Sequence, residues 1–432
     1  MKKTLILLSF LIVHSVLFSQ TVESDLETYI QNFQYQKALE YISDKEPSAY
    51  LQFQEAMCHK ALGNYLKSID ILQRLSTDNP ENVRVKSELA NCFAITGRRQ
   101  AGIDCYNDLI RLDSTNLYYK IQKAELLFQQ TKYEKALCLF KEIYGRNNSP
   151  NTLTQIAQCF EKMNQADSAM VYFKAAWDTN PSDSYSAASL VNLCLKAGRS
   201  LEALAHSTAY LEKDSTDQQM NLLNALTYYV MDNYEEAISR FKKCYEAGDS
   251  SLIVNRSLGI SYYSLRENYE AEIFLDKAFR QDTTNNNVLY CLAVSSNELA
   301  DHKKAIPLFR RLLDRTIPSD LTLYLYYKGL ASAYDKGSLF EDAVEAYKKA
   351  LIYAGTNQKM TINFVIGQLY ENQVKDSSNA LMYYQNYRQN LNEYLDGLIR
   401  KNETDENIDD TKKRLKYLDE HIKELTKAMS VN

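Results

Sequence analysis

Turn-forming residues are scarce in this chain, which holds 12 glycines and 6 prolines in 432 residues. So few helix breakers suit a nearly all-helical fold. No low-complexity or linker-like stretch is long enough to mark a second domain. Histidine is almost as rare. The five copies, His14, His59, His206, His302 and His421, have no His or Cys beside them at metal-ligand spacing, so no metal is expected. There is no zinc-protease helix motif, nucleophile elbow or phosphate loop. That leaves no catalytic residue to nominate and no cofactor to place. A hydrolase would have only the scattered carboxylates Glu125, Glu161 and Asp335. Strong charge of either sign is also lacking. The formal charge is −5, and −7 without Lys2 and Lys3, a mild acidity that favours neither nucleic acid nor an anionic membrane surface.

Long hydrophobic runs are absent after the first twenty residues. Met1-Lys2-Lys3 precedes an apolar run from Leu5 to Phe18, with the small Ser19 after it. A basic start, a short apolar core and a small residue read as a cleaved secretory signal peptide over 1–19. The run is short for a membrane span. No cysteine occurs among the first 57 residues, which argues against a lipoprotein anchor. A periplasmic or otherwise exported chain is expected, with no membrane span in the mature form. Eight cysteines in an exported chain invite a disulfide reading. Their spacing argues against a framework: Cys58, Cys92, Cys159 and Cys194 hold nearly the same place in helix A of different units. Equivalent places on stacked helices lie roughly 8–10 Å apart, beyond disulfide reach. Cys92 and Cys105 form the one pair that a bridge could join.

What is present is a period. Ser68, Gly102, Ala136, Ala169, Ala203, Ala237, Ala271, Ala305, Ala343 and Ala380 are separated by 34, 34, 33, 34, 34, 34, 34, 38 and 37 residues. A second small-residue series lies upstream: Ala56, Ala90, Ala124, Ala157, Val191, Ala225, Gly259, Ala293, Ala331 and Gly367. A third, bulky series lies four places after the first: Leu72, Tyr106, Phe140, Phe173, Ser207, Phe241, Leu275, Phe309, Tyr347 and Tyr384. Small residues let two helices approach closely, and a ring four places on fills the gap beside them. Each unit therefore reads as helix A, a short turn such as Leu62-Gly63-Asn64 or Thr96-Gly97-Arg98, and helix B. Between units, triplets such as Asp113-Ser114-Thr115, Asp214-Ser215-Thr216 and Asp282-Thr283-Thr284 can cap the next helix. The longer steps of 38 and 37 place extra residues around 315–321 and 374–378, expected as loops.

These units resemble tetratricopeptide repeats. The match runs from Ala49 to about Asn390, with the best copies at Leu258-Gly259, Tyr262, Ala271 and Ala278 and at Leu330-Ala331, Tyr334, Ala343, Tyr347 and Ala350. The copies near Val83 and Ser184 depart from the pattern, with Gly102 for the alanine and Ser207 for the ring. The resemblance implies an all-α, right-handed α-α superhelical solenoid. The expected organisation is a divergent helical hairpin over 20–48, carried by Leu26, Ile30, Phe33, Tyr35, Ala38 and Ile42. About ten repeats follow over 49–396, and a capping or coiled-coil helix over 397–432. Some members of the family hold a partner's acidic C-terminus with Lys, Asn and Arg. Asn91 suits that clamp, but Ser87 and Gln122 stand where its other residues belong.

The resemblance further implies a non-enzymatic protein–protein interaction scaffold or adaptor of the cell envelope, with partner-facing positions on helix A. Between Gln218 and about Val294 those positions are apolar and aromatic: Leu222, Leu226, Tyr229, Ile253, Ile260, Tyr263, Tyr290 and Val294, with Arg256 as the main charge. Such a patch suits a protein partner. The alternatives are burial of these residues between neighbouring turns, or a glycan- or peptide-binding role with Tyr229, Tyr263 and Tyr290 as stacking faces.

Past Asn390 the period stops. Ile408, Leu415, Leu418, Ile422, Leu425 and Met429 form a seven-residue apolar stripe, with Glu403, Asp405, Glu406, Asp409 and Asp410 before it and Lys423 and Lys427 late. A cap over the array's last apolar face is expected. The alternative is a coiled coil that pairs two copies into a homodimer.

Overall fold

The computed structural model describes residues 25–315, 319–400 and 405–431, so the signal-peptide segment lies outside the described residues. The chain divides into two compact units, one ending at Arg199 and the other beginning at Ser200. The first contains α1 (25–31), α2 (Tyr35–Ser43), α3 (Ala49–Ala61), α4 (Tyr65–Asp78), α5 (Val83–Ile95), α6 (Arg99–Leu112), α7 (Leu117–Gln129), α8 (Tyr133–Tyr144), α9 (Pro150–Lys162), α10 (Ala166–Thr179) and α11 (Ser184–Lys196). The second contains α12 (Ser200–Leu211), α13 (Gln218–Val230), α14 (Tyr234–Glu246), α15 (Leu252–Ser264), α16 (Asn268–Gln281), α17 (Asn286–Glu298), α18 (His302–Arg315), α19 (Asp320–Lys336), α20 (Phe340–Tyr353), α21 (Thr356–Leu369), α22 (Ser377–Arg400) and α23 (Asp405–Val431). Within each unit, from α2 to α11 and from α12 to α23, every helix packs on the next. No strand occurs among the described residues, and the fold is an all-α helical repeat.

The three periodic series explain the packing. Both small-residue series and the bulky series are buried throughout, most of them completely. A Cβ on Gly102 would stand 2.9 Å from Leu126 Cδ1, and one on Gly367 would stand 2.8 Å from the Tyr384 ring. These positions are small because the partner helix lies where a larger side chain would go. Burying the ring or Leu beside them contributes about 1.5–3 kcal/mol apiece. The departure at Ser207 is polar: its Oγ accepts from Asn224 Nδ2 at 2.8 Å, both side chains fully buried.

Each turn from helix A to helix B repeats one conformation. Phe33, Gly63, Gly97, Thr131, Asn164, Gly198, Asp232, Arg266, Ala300, Ser338 and Lys375 all take a left-handed backbone, with φ from 56° to 76°. In the second pair Gly63 N–H donates to Lys60 O and Asn64 N–H to His59 O, the pair of hydrogen bonds that closes a helix C-terminus. Glycine takes this conformation freely; the other residues do so against steric strain. Phe33 corrects an expectation. It was expected to help carry the first hairpin, but as the turn residue it is 77 % exposed, while Leu26, Ala38 and Ile42 form that core.

The interhelix caps fall one residue later than the triplets. Asn116, Asp217 and Asn285 cap α7, α13 and α17. Asp113, Asp214 and Asp282 instead accept from Thr115, Thr216 and Thr284 two places on, and those bonds hold the three carboxyls below the usual aspartate range. The two insertions are not simple loops. α19 starts 34 residues after α17 and runs 17 residues where α13, α15 and α17 run 13, so the four extra residues of the first insertion lengthen a helix instead of a loop around 315–321. The second continues α21 as a π-helical turn, Tyr370–Val374, before Lys375 ends it. No disulfide joins any of the eight cysteines, so Cys92 and Cys105 are not bridged.

The closing helix α23 lays its apolar stripe on the array. Leu418 and Leu425 are buried in the core that α19–α22 build, and Leu415 and Ile422 pack against it. Arg388 pairs with Asp419 at 2.6 Å. Met429, at the end of the stripe, stays 37 % exposed. Within the chain this helix is a cap. No helix among the described residues is long and apolar enough to cross a membrane.

Candidate binding groove

In the second unit the A helices α13, α15, α17 and α19 touch one another in succession. The B helices α14, α16, α18 and α20 make no comparable contact with each other. The crowded side is the inner side of a curved stack. All nine expected groove residues lie on α13, α15 and α17. Eight are half-buried and Ile253 is 40 % exposed. Their undersides join the core of Phe241, Leu258, Leu275 and Leu292, against which Leu222, Leu226, Tyr229, Ile260, Tyr263 and Tyr290 pack, while Val294 packs on the next core along. The two readings of this wall are therefore not exclusive: the same side chains close the core and present a face.

Helical spacing sets the geometry. Leu222, Leu226 and Tyr229 stand at i, i+4 and i+7 on α13; Ile253, Arg256, Ile260 and Tyr263 follow the same stripe on α15. Tyr229 meets Phe241 edge-on, with ring centroids 6.4 Å apart, and Tyr234 at 6.1 Å. Tyr290 meets Phe309 edge-on at 6.4 Å and Tyr326 at 5.6 Å. Burial pushes the hydroxyl pKa of all three groove tyrosines up, that of Tyr263 to about 12. Cys291 lies within electrostatic reach of Tyr229, Tyr263 and Tyr290, which draws the three into one neighbourhood around α17. Arg256 acts on Tyr229 and Asp282. Nearby ion pairs join Arg280 to Asp276 and Lys304 to Glu272, and among the described residues none includes Arg256.

Tyr326 is the part of this wall that sequence reading missed. α19 begins 34 residues after α17, as α17 does after α15, but it runs four residues longer, and Tyr326, two places past the 34-residue equivalent of Tyr290, is the ring that meets it.

The corresponding positions of the first unit are more polar and tied to each other. Asn91 Oδ1 accepts from Tyr106 at 2.7 Å and Tyr118 at 3.4 Å. Gln158 donates to Tyr185 at 3.0 Å, and Arg84 covers the Phe53 ring at 4.5 Å. Burial raises the Glu125 carboxyl, opposed by a bond from Gln155. In the second unit burial raises Asp335.

No family model matches the chain. Over 343 residues it is 19 % identical to BBSome complex member BBS4 of Bos taurus, a match covering 79 % of this chain and 65 % of that protein's length. Among solved structures, a tetratricopeptide repeat protein from Parabacteroides merdae ATCC 43184 is 14 % identical, with 57 % of this chain and 98 % of that one covered and a TM-score of 0.40. The C-terminal part of a TPR repeat-containing protein from Cytophaga hutchinsonii is 20 % identical, with coverage of 56 % and 97 % and a TM-score of 0.43. The chain's own geometry carries the fold: a 34-residue period of paired helices, buried small residues where those helices touch, one left-handed turn within each pair and a closing helix make the all-α repeat fold that its resemblance to tetratricopeptide repeats implies.

Proposed function

We propose that this protein is a non-enzymatic interaction scaffold whose second unit holds an extended or helical segment of a partner protein against α13, α15 and α17. The observation that carries the reading is the half-buried apolar and aromatic wall around Arg256, a cation with no ion-pair partner among the described residues. Tyrosine and arginine are enriched among residues that dominate binding energy, and a central desolvated patch is where they act. Arg256 adds a preference for a segment that carries a carboxylate among apolar residues.

The basic, apolar and small N-terminal series supports export, and we take the scaffold to work in the cell envelope, with a mature chain that begins at Gln20. N-terminal sequencing of the protein from a periplasmic fraction tests this, and retention of Met1 in the cytoplasm contradicts it.

The groove is tested by Ile253→Ser and Arg256→Ala, which alter exposed or half-exposed surface. Affinity capture from native envelope extracts should lose its specific protein partner in both variants while thermal stability stays near that of the wild type. Undiminished capture by both would remove the groove from the function.

A further inference from the structure

A second concave site lies at the closing end of the array. α21, the π-helical turn after it, α22 and α23 line an open cleft of about 460 Å³, within the range of about 300–1,000 Å³ typical of small-molecule sites. On its lining Glu371 is held from two sides: Oε2 accepts from the Tyr384 hydroxyl at 2.7 Å and stands 3.0 Å from His421 Nε2. Both contacts use the same oxygen, which leaves Oε1 unengaged among the described residues. The Tyr384 ring meets the His421 ring edge-on at 5.1 Å, which fixes the imidazole. Phe364 and Tyr387, with centroids 5.0 Å apart, form one aromatic wall. Tyr417 stands at the mouth and is 75 % exposed, an unusual place for a large ring on a helix otherwise devoted to covering a core.

We propose that this cavity binds a neutral saccharide. The lining is electrically mixed. Glu371 disfavours an anion, and Arg414, paired with Asp410 at 2.8 Å, disfavours a cation. What remains is a neutral molecule with apolar faces and many hydroxyls. Sugar rings present axial C–H faces to aromatic rings, here Tyr417, Phe364 and Tyr387, and hydroxyls to fixed acceptors and donors. Glu371 Oε1 offers the acceptor, and the exposed amides of Gln368 and Asn372 on the same lining offer both roles. The π-turn is what swings Glu371 and Asn372 to this place, because the wider turn adds residues that an uninterrupted 34-residue register would not. This site is separate from the α13–α17 groove.

The test titrates the full-length protein with chitotetraose, cellotetraose and maltotetraose, followed by saturation-transfer NMR and calorimetry. At least one should bind saturably. Tyr417→Ala, at an exposed position, should weaken that binding by about tenfold with an unchanged melting temperature, and Glu371→Gln should weaken it as well. Ile253→Ser in the groove should bind the saccharide as the wild type does, so failure here is distinguishable from failure of the groove. The proposal is overturned if none of the three binds, if Tyr417→Ala binds undiminished, or if a neutral tetrapeptide binds more tightly than every saccharide.

Discussion

Gly259→Ala adds one methyl group and should destabilise the second unit. Gly259 sits on α15 in the upstream small-residue series. A Cβ there would stand 2.7 Å from Leu275 Cγ and 2.9 Å from Leu275 N. The first contact could relax by rotation of the leucine. The second cannot, because it is backbone, so α16 must move away. Overpacking of this kind costs about 1–3 kcal/mol, and a backbone obstacle places it in the upper half. Replacing glycine inside a helix offsets about 1 kcal/mol of that through propensity. The net expectation is a loss of about 1–2 kcal/mol, or a 5–30-fold change in the local opening equilibrium. Repeat arrays unfold segment by segment, so the assay is hydrogen exchange by mass spectrometry over α15 and α16. Gly397 supplies the control: a Cβ there meets nothing within 4 Å, so Gly397→Ala on α22 should be neutral or stabilising by up to about 1 kcal/mol. If Gly259→Ala behaves like Gly397→Ala, the small-residue series does not mark close helix contact and the packing argument fails.

Four further outcomes follow from the same geometry. Ala300→Gly relieves a left-handed residue and should stabilise by about 0.5–1 kcal/mol, while Gly97→Ala should destabilise by a similar amount, both read by thermal unfolding. Because burial raises the Glu125 carboxyl, the folded state binds its proton more tightly than the unfolded chain, so this group's contribution falls as pH rises; Glu125→Gln should raise the melting temperature at neutral pH and flatten its pH dependence. Cys138 is the one exposed thiol, and Cys105 is partly covered, so a thiol reagent on native protein should label Cys138 fastest and all eight only after unfolding. Leu418→Ala should cost about 2–4 kcal/mol in the segment from α21 to α23 without changing the native mass; halving of that mass would mean that the stripe pairs two copies instead.

Much of the fold was legible because a repeat states its packing many times over. One alanine is a weak signal, but Ala136, Ala169, Ala203, Ala237, Ala271 and Ala305 at nearly constant spacing could only be a contact, and all six are fully buried. The turns were half-legible. Glycine announced the left-handed residue at Gly63, Gly97 and Gly198, whereas Thr131, Arg266 and Ala300 take the same backbone with no local preference for it, because the flanking helices impose it. Phe33 misled for the same reason: an apolar residue at a turn position points to solvent. The nine expected positions fall on A helices, where the resemblance put them, but Tyr326 was lost where α19 gains four residues. The π-turn at Tyr370–Val374 was invisible, since extra residues in a repeat look the same whether they form a loop or widen a helix.

The groove is tested most directly by a photo-cross-linking amino acid placed at Tyr263 and, separately, at Tyr269, which lies on α16 and is 65 % exposed. In extracts of the native cells position 263 should yield one dominant protein adduct, mapped to a single short segment of the partner, and position 269 should yield none of it. Equal adducts at both positions, or the adduct at 269 alone, would contradict a partner seated on the α13–α17 wall.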